Sequence, residues 1–242
     1  TEQCGTAVGY TRADGILADA GTPEVLALTA GFLFSEGIIG SRHDIAEMSV
    51  CPERPDVVRV RLVAPDLADV RRRNVVMNSS CGVCGGRDQV VTGMACAAPV
   101  SDRLRLGMGD FASILEALRQ RQEIFHSTGG THAALAFSSK LEILTFAEDL
   151  GRHNAMDKII GYCLLQDQPF SGMGTFVSSR LSYEMVAKAA RAGFELIAAI
   201  SAPSSLAIEM ADRLGITLCG FVRGHGGEVY THGHRITDIA ST

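Results

Sequence analysis

Two cysteines three positions apart, Cys81 and Cys84, stand in the run Ser79-Ser80-Cys81-Gly82-Val83-Cys84-Gly85-Gly86. Glycines follow each thiol and serines precede the first, so the run offers little to a core, and an exposed, mobile loop is expected. A pair so placed can ligate a metal, close a disulfide or carry a sulfur atom. Structural zinc needs four ligands, commonly from a second close pair. The chain has no second CxxC or CxxH, and His126 and His132 are only loosely spaced partners. A redox dithiol usually opens a helix, whose dipole acidifies the first thiol, and Gly82, Gly85 and Gly86 disfavour helix there. A persulfide carrier needs reach rather than rigidity, and the glycine setting suits it best.

A second group of polar residues emerges from the strand–helix alternation of the C-terminal half. In open α/β sheets ligands sit beyond the carboxyl ends of the strands. Four predicted strands there are followed by Glu148-Asp149-Leu150-Gly151-Arg152-His153-Asn154, Ser178-Ser179-Arg180-Leu181-Ser182, Ser201-Ala202-Pro203-Ser204-Ser205 and Arg223-Gly224-His225-Gly226-Gly227. Helix starts expected at Asn154, Ser182 and Ser204 offer free N–H groups, and Arg152, Arg180 and Arg223 can grip phosphate oxygens bidentately. Together they suit an anionic ligand such as a pyrophosphate. Glu148, Asp149 and Asp157 have acid–base or cation-binding chemistry, but pairing with Arg152 and Lys158 is the plainer expectation. His132 reads as a hydrogen-bonded structural histidine.

The elements that must position these groups follow from periodicity. A helix is expected from Glu24 to Phe34, with Thr22 as N-cap and Pro23 in its first turn. Strands Ile45–Val50 and Val57–Val63 follow, the second alternating valine and leucine with Arg59 and Arg61, with Pro52 and Pro55 marking the turn. Ala95–Gly109 reads as a linker. Asp110 is expected to cap a helix carrying Ile114, Leu115, Leu118 and Ile124. Next come strands Ala133–Phe137 and Leu141–Phe146, then a helix from Asn154. Strands Thr175–Ser178, Glu195–Ile200 and Ile216–Val222 alternate with helices Ser182–Ala192 and Pro203–Leu214, and Glu228–Thr231 forms an edge strand. The pattern implies a mixed sheet with flanking helices, an α/β class. We divide the chain into a small N-terminal α/β domain, 1–76, and a larger domain, 77–242.

The bulk numbers set limits. The 242 residues are 46% hydrophobic with a net charge of -5, ordinary globular composition that argues against general nucleic-acid binding. No apolar run is long enough to cross a bilayer and no charged-then-apolar leader is visible, so no membrane partner is expected. Seven cysteines is an odd count, and Cys4, Cys51, Cys96, Cys163 and Cys219 are scattered, which does not make a secreted disulfide framework. A reducing cytoplasm is expected, with Cys163 and Cys219 buried as small hydrophobes.

Several runs resemble the FdhD/NarQ family of formate dehydrogenase accessory sulfurtransferases. They are Ser80-Cys81-Gly82-Val83-Cys84-Gly85, Thr128-Gly129-Gly130-Thr131-His132, Glu148-Asp149-Leu150-Gly151-Arg152-His153-Asn154-Ala155-Met156-Asp157-Lys158 and Ser179-Arg180-Leu181-Ser182-Tyr183-Glu184-Met185, with Ser201-Ala202-Pro203-Ser204 and Phe221-Val222-Arg223-Gly224. The resemblance spans roughly Thr22 to Ile236. Residues 1–20 lack a recognisable counterpart, and Ser179 stands where the family often has glycine.

The resemblance implies a cytidine-deaminase-like main domain. His132-Ala133-Ala134 lacks the glutamate of zinc deaminases, and the CxxC precedes the histidine, so deaminase chemistry and a resident metal are not expected. It implies a sulfurtransferase that takes sulfur from a cysteine desulfurase as a persulfide on Cys81, with Cys84 as helper. The sulfur passes to the molybdenum bis(molybdopterin guanine dinucleotide) cofactor before that cofactor enters formate dehydrogenase. The cofactor's guanine nucleotide portions would meet Phe221, Val222, Arg223, Gly224, His225 and Gly226. Arg152, His153, Asn154, Ser179, Arg180 and Ser182 complete the expected site. A homodimer would be in keeping with the family. The alternative is a non-catalytic molybdenum-cofactor-binding chaperone, in which the thiols are dispensable.

Overall fold

The computed structural model describes residues 9–11, 15–17, 23–65, 100–224 and 226–238. The chain divides into two compact units, Thr1–Arg71 with Asp157–Pro169, and Arg72–Met156 with Phe170–Thr242. The return of 157–169 to the first unit is a long-range event that no local pattern encodes.

The first unit contains a four-stranded antiparallel sheet. Its strands β1 (Gly9–Thr11), β2 (Gly15–Leu17), β3 (Ile45–Cys51) and β4 (Arg54–Leu62) lie in the order β2-β1-β3-β4. Residues 1–20, for which sequence reasoning named no element, thus supply two strands. The alternation expected in β4 holds: Val58, Val60 and Leu62 are half-buried while Arg59 and Arg61 are exposed. Pro52 lies in the turn, but Pro55 belongs to β4. A proline without an N–H is tolerated because β4 is an edge strand whose pairing slips there, from Val50↔Val58 to Cys51↔Arg54. Helix α1 (Glu24–Ser35) begins one residue after Pro23, which is itself the cap residue and accepts from the amides of Leu26 at 3.0 Å and Ala27 at 3.1 Å.

The second unit is built on a six-stranded mixed sheet in the order β10-β9-β8-β7-β5-β6. Its elements are α2 (Asp110–Arg121), α3 (Glu123–Thr128), β5 (His132–Ser138), β6 (Ile143–Asp149), the first turn of α4 (Arg152–Leu165), whose remainder belongs to the first unit, β7 (Met173–Val177), α5 (Tyr183–Ala192), β8 (Leu196–Ala199), α6 (Ser205–Arg213), β9 (Thr217–Arg223) and β10 (Gly226–Thr231). Strands β7, β8 and β9 are parallel, β5 is antiparallel to both β6 and β7, and β10 is antiparallel to β9. The mixed α/β class expected from the alternation is therefore the observed one. Nearly all of β5 is buried, as a central strand covered on both faces requires. Phe137, Leu135 and Ala133 join Phe111, Ile114, Leu115 and Leu118 of α2 in one core.

Three expectations need correction. The segment before Asp110 is more than a spacer: Leu104 and Leu106 are buried in that core, and Leu106 bridges to Ile236. The helix expected to run through Ile124 breaks at Gln122, whose ψ of 62° ends α2, so Ile124 falls on the short α3 and is exposed. The N-cap of α2 is Gly109, and Asp110 is the first helical residue; its carboxylate accepts from the amide of Gly107 at 2.7 Å. The loss of helical register at one backbone angle leaves no mark in hydrophobic spacing. Cys163 and Cys219 are fully buried, as expected, Cys51 is buried as well, and these three form no disulfide.

Candidate functional site

Because β6 and β7 both run antiparallel to β5, β6 points the same way as β7, β8 and β9. All four carboxyl ends therefore emerge at one end of the sheet, where β5 begins with His132 paired to Asp149. The loops there are stitched together. Ser178 donates its amide to the Ala133 carbonyl and accepts the Ala133 amide on its hydroxyl, each at 2.9 Å. Leu181 donates to Ala202 at 3.1 Å, Ser204 to Leu181 at 2.9 Å, and Phe221 to Ser201 at 3.2 Å. A rigid rim results, carrying the polar residues picked out in the sequence.

Basic side chains converge on this rim. Helix α4 starts at Arg152, two residues before the start expected at Asn154, so Arg152, His153 and Asn154 form its first turn. Burial, followed by the charges of Arg152, Arg180 and His153, holds the pKa of His132 below the usual histidine value. The Nε2 of His153 lies 2.9 Å from Oε2 of Glu184. Glu184, quoted above within a run that carries the family resemblance, is not among the expected site residues. That histidine, against the opposing effect of burial and assisted by Arg152 and Lys188, holds the Glu184 carboxyl below its usual range. Arg180 is exposed, whereas Ser179 is buried and donates its hydroxyl to the Arg180 carbonyl at 3.1 Å.

Three buried polar atoms on the rim have no hydrogen-bond partner among the described residues: Nε of Arg152, Oγ of Ser182 and Nε2 of His153, whose 2.9 Å approach to Glu184 is an ion-pair contact off the hydrogen-bonding direction. Ser182 occupies the N-cap of α5 without bonding back to it, whereas Ser204 closes α6 by accepting from the Ala207 amide at 3.2 Å. Buried polar groups are rarely left unpaired, so these atoms have hydrogen-bonding capacity to offer a polar partner. Asn154 is already committed, donating to Asp149 Oδ1 at 3.0 Å beside the Gly151 amide at 2.8 Å.

The acidic residues have structural partners. Glu148 and Asp149 lie within β6 rather than in the loop after it. Glu148 accepts from the amides of Ile124 and Phe125 at 2.9 Å each and from the Thr131 hydroxyl at 2.7 Å, capping α3. Asp157 accepts from Ser35 at 2.8 Å, and Lys158 pairs with Glu24 at 3.0 Å. Ile124, Phe125, Thr131 and Ser35 are thus structural donors to these carboxylates.

At the β9 end the backbone is strained. Phe221 sits at φ 52°, in the left-handed region that a bulky residue rarely enters, with its side chain 45% exposed. The cause is a bulge: pairing runs from Gly220↔Glu228 to Arg223↔Gly226, so Phe221 and Val222 together face Gly227. A Cβ on Gly227 would lie 3.0 Å from Val222 Cγ2, which makes glycine the fitting residue there. Val222 itself is buried in the core and presents no side chain to the rim. Arg223 and Gly226 are exposed, and Gly224 turns the chain at φ 55°. Strands lie about 4.8 Å apart, which places the β9 end roughly 10 Å from the β7 end and about 19 Å from the β6 end. The site is thus an extended strip.

Cys81, Cys84 and His225 lie outside the described residues. His126, considered above as a zinc partner, has its Nε2 2.9 Å from the Arg119 carbonyl oxygen. Among the described residues no three His, Cys, Asp or Glu side chains are grouped to hold a metal, and no helix is long and apolar enough to cross a membrane.

Comparison with known proteins adds to this geometry. The profile of the FdhD/NarQ family matches residues 16–237. The chain is 41% identical over 210 residues to a protein of Saccharolobus solfataricus named "Sulfur carrier protein FdhD", covering 86% of this chain and 78% of that one. It is 39% identical over 225 residues to a protein of the same name from Mycobacterium tuberculosis, covering 87% of this chain and 81% of that one. The crystal structure of a protein described as a formate dehydrogenase accessory protein from Desulfotalea psychrophila superposes with a TM-score of 0.70 at 24% identity, covering 95% of this chain and 89% of that one. The last likeness bears on the fold.

Proposed function

The chain belongs to the FdhD/NarQ family, and on that premise we propose that it is a sulfur carrier serving formate dehydrogenase. The observation that carries this reading is identity over most of the chain to relatives named sulfur carriers. Cys81 is the carrier thiol of the proposal. Its thiolate attacks the outer sulfur of a cysteine desulfurase persulfide; one S–S bond forms, one breaks, and the desulfurase thiolate leaves. Attack of Cys84 on the Cys81 sulfur then forms an intramolecular disulfide and expels the carried sulfur as sulfide, a two-electron exchange. A dithiol reductant restores the pair for the next round.

The acceptor in this reading is the molybdenum bis(molybdopterin guanine dinucleotide) cofactor, held as cargo along the strand-end strip. Arg152, His153, Arg180 and Ser182 face its phosphates, and Phe221 with Arg223 to Gly226 faces a guanine nucleotide. The strip's length, its cations and the unpaired atoms of Arg152 and Ser182 support an extended, phosphate-bearing guest. Asn154, Ser179 and Val222 shape the rim without contacting the cargo through their side chains.

Intact-mass measurement after incubation with a desulfurase and cysteine tests the carrier role. The wild-type chain is expected to gain one sulfur atom, reversibly by reductant, and Cys81→Ala to gain none while still binding GDP. Sulfur uptake by Cys81→Ala would refute Cys81 as the carrier. A cysteine-free variant that still activates formate dehydrogenase would favour a cofactor chaperone instead.

A further inference from the structure

The geometry of the His153–Glu184 contact on the rim constrains what the site can bind. At 2.9 Å from an acceptor-only carboxylate oxygen, though off the hydrogen-bonding direction, Nε2 of His153 is the nitrogen on which the carboxylate charge favours a proton. Nδ1 is then the nitrogen left for a ligand. In a singly protonated ring Nδ1 is an acceptor and opposes a phosphate oxygen; in the doubly protonated ring it donates. The ring is held firmly, its side chain only 16% exposed between the first turns of α4 and α5.

We propose that Glu184 is a positioning residue of the strand-end site: it fixes the His153 ring so that Nδ1 meets a phosphodiester oxygen, and phosphate binding is thereby coupled to protonation of His153. The proposal rests on the reading of the strip as a phosphate site. Glu184 does not touch the ligand; it acts through the imidazole, as second groups commonly orient a ligating histidine. The charged and titratable groups around the pair are Arg152 on α4, Lys188 on α5, Arg180 after β7 and His132 at the start of β5. Three of these are obligate or ordinary cations, so Glu184 is the counter-charge that lets a fourth cation stand among them. Loss of its charge disfavours the imidazolium and moves the proton-linked step in affinity to lower pH.

The test uses the full chain and P1,P2-dimethyl diphosphate, an esterified probe that stays a dianion throughout the range used. Its affinity is measured by calorimetry from pH 5.5 to 8.5. Wild-type protein is expected to bind with affinity that falls as pH rises. Glu184→Gln is expected to match wild type within about threefold at the acid end and to bind about tenfold more weakly near pH 7.5. Glu184→Asp, which keeps the charge, is expected to retain the wild-type pH profile, and His153→Gln to abolish the step and make Glu184→Gln silent in its background. Absence of binding by the wild type removes the phosphate-site reading, and this proposal with it. Binding with superimposable pH profiles for wild type and Glu184→Gln removes the proposal alone. Nitrogen-15 NMR of the unmodified protein saturated with the probe at pH 7.5 decides independently of any variant's folding. A doubly protonated His153 ring supports the proposal, and a singly protonated ring overturns it.

Discussion

Gly31 and Gly161 meet in a reciprocal backbone contact between α1 and the second part of α4: a Cβ on Gly31 would lie 1.8 Å from the Asp157 carbonyl oxygen, and a Cβ on Gly161 would lie 1.8 Å from that of Ala27. Both distances are far inside any van der Waals contact, and both obstacles are backbone, which cannot rotate away. Gly31→Ala or Gly161→Ala must push the helices apart, loosening Leu26, Ala27 and Ala30 from their fully buried positions. Overpacking a core typically costs about 1–3 kcal/mol, and a backbone clash belongs at the upper end. Chemical denaturation of either variant is expected to show a loss of about 3 kcal/mol, with the double variant no better than the worse single one.

Glu195 is a buried carboxylate with its acceptor capacity filled. Its Oε2 takes the amides of Arg103 at 2.7 Å and Leu104 at 2.6 Å, and its Oε1 takes the Gly172 amide at 2.7 Å and the Ser101 hydroxyl. Burial works to raise its pKa, but these four hydrogen bonds outweigh it and hold the group below its usual value. A depressed carboxyl adds stability above its unfolded pKa, and that contribution is lost as pH falls through the folded value. Glu195→Gln turns an NH2 toward two donors, at a cost of about 2–4 kcal/mol near neutrality given about 1–3 kcal/mol for each buried group left unpaired. Below about pH 4.3, where unfolded glutamates protonate, wild-type stability should fall more steeply than that of the variant. Denaturation from pH 3 to 7 checks both the size and the slope.

Phe221 carries backbone strain at a place where an exposed aromatic ring adds nothing to the core. Left-handed backbone costs a residue with a Cβ about 1–2 kcal/mol. Phe221→Gly relieves that strain but makes the unfolded chain more flexible, so stability should change by less than about 1 kcal/mol. If the ring stacks on a nucleobase, worth about 1–3 kcal/mol, GDP affinity should fall about tenfold or more. A GDP titration beside a denaturation curve separates the two effects, and unchanged affinity would remove Phe221 from the site.

Arg180 is exposed on the rim, so its role is electrostatic rather than structural. Arg180→Gln should leave the melting temperature unchanged and weaken phosphate-ligand binding by about 1.5–3 kcal/mol, the size of a hydrogen bond to a charged group. Its effect should shrink as salt is raised, because an exposed cation is screened. Titrations at low and high ionic strength provide the check.

Much of the positioning scaffold is legible in the linear chain because it rests on local rules. The periodicity of α5 with Gly193 behind it, the serine before α6 and the alternation in β4 are short-range patterns, and each appears where the spacing puts it. The strip of Arg152, Arg180, Ser182 and Arg223 was readable too, since strand–helix order alone fixes which loops follow carboxyl ends. The thiol pair Cys81–Cys84 stands on sequence alone. Tertiary structure alone decided the rest. It set Glu184 against His153 across two helices 31 positions apart in the chain. It filled Glu195 with donors from segments up to 94 residues away and sent 157–169 into the unit of the N-terminal sheet. Local spacing encodes helices, strands and turns because their hydrogen bonds close within a few residues. Which carboxylate meets which imidazole depends on how sheets and helices cross in space, and no local spacing records that.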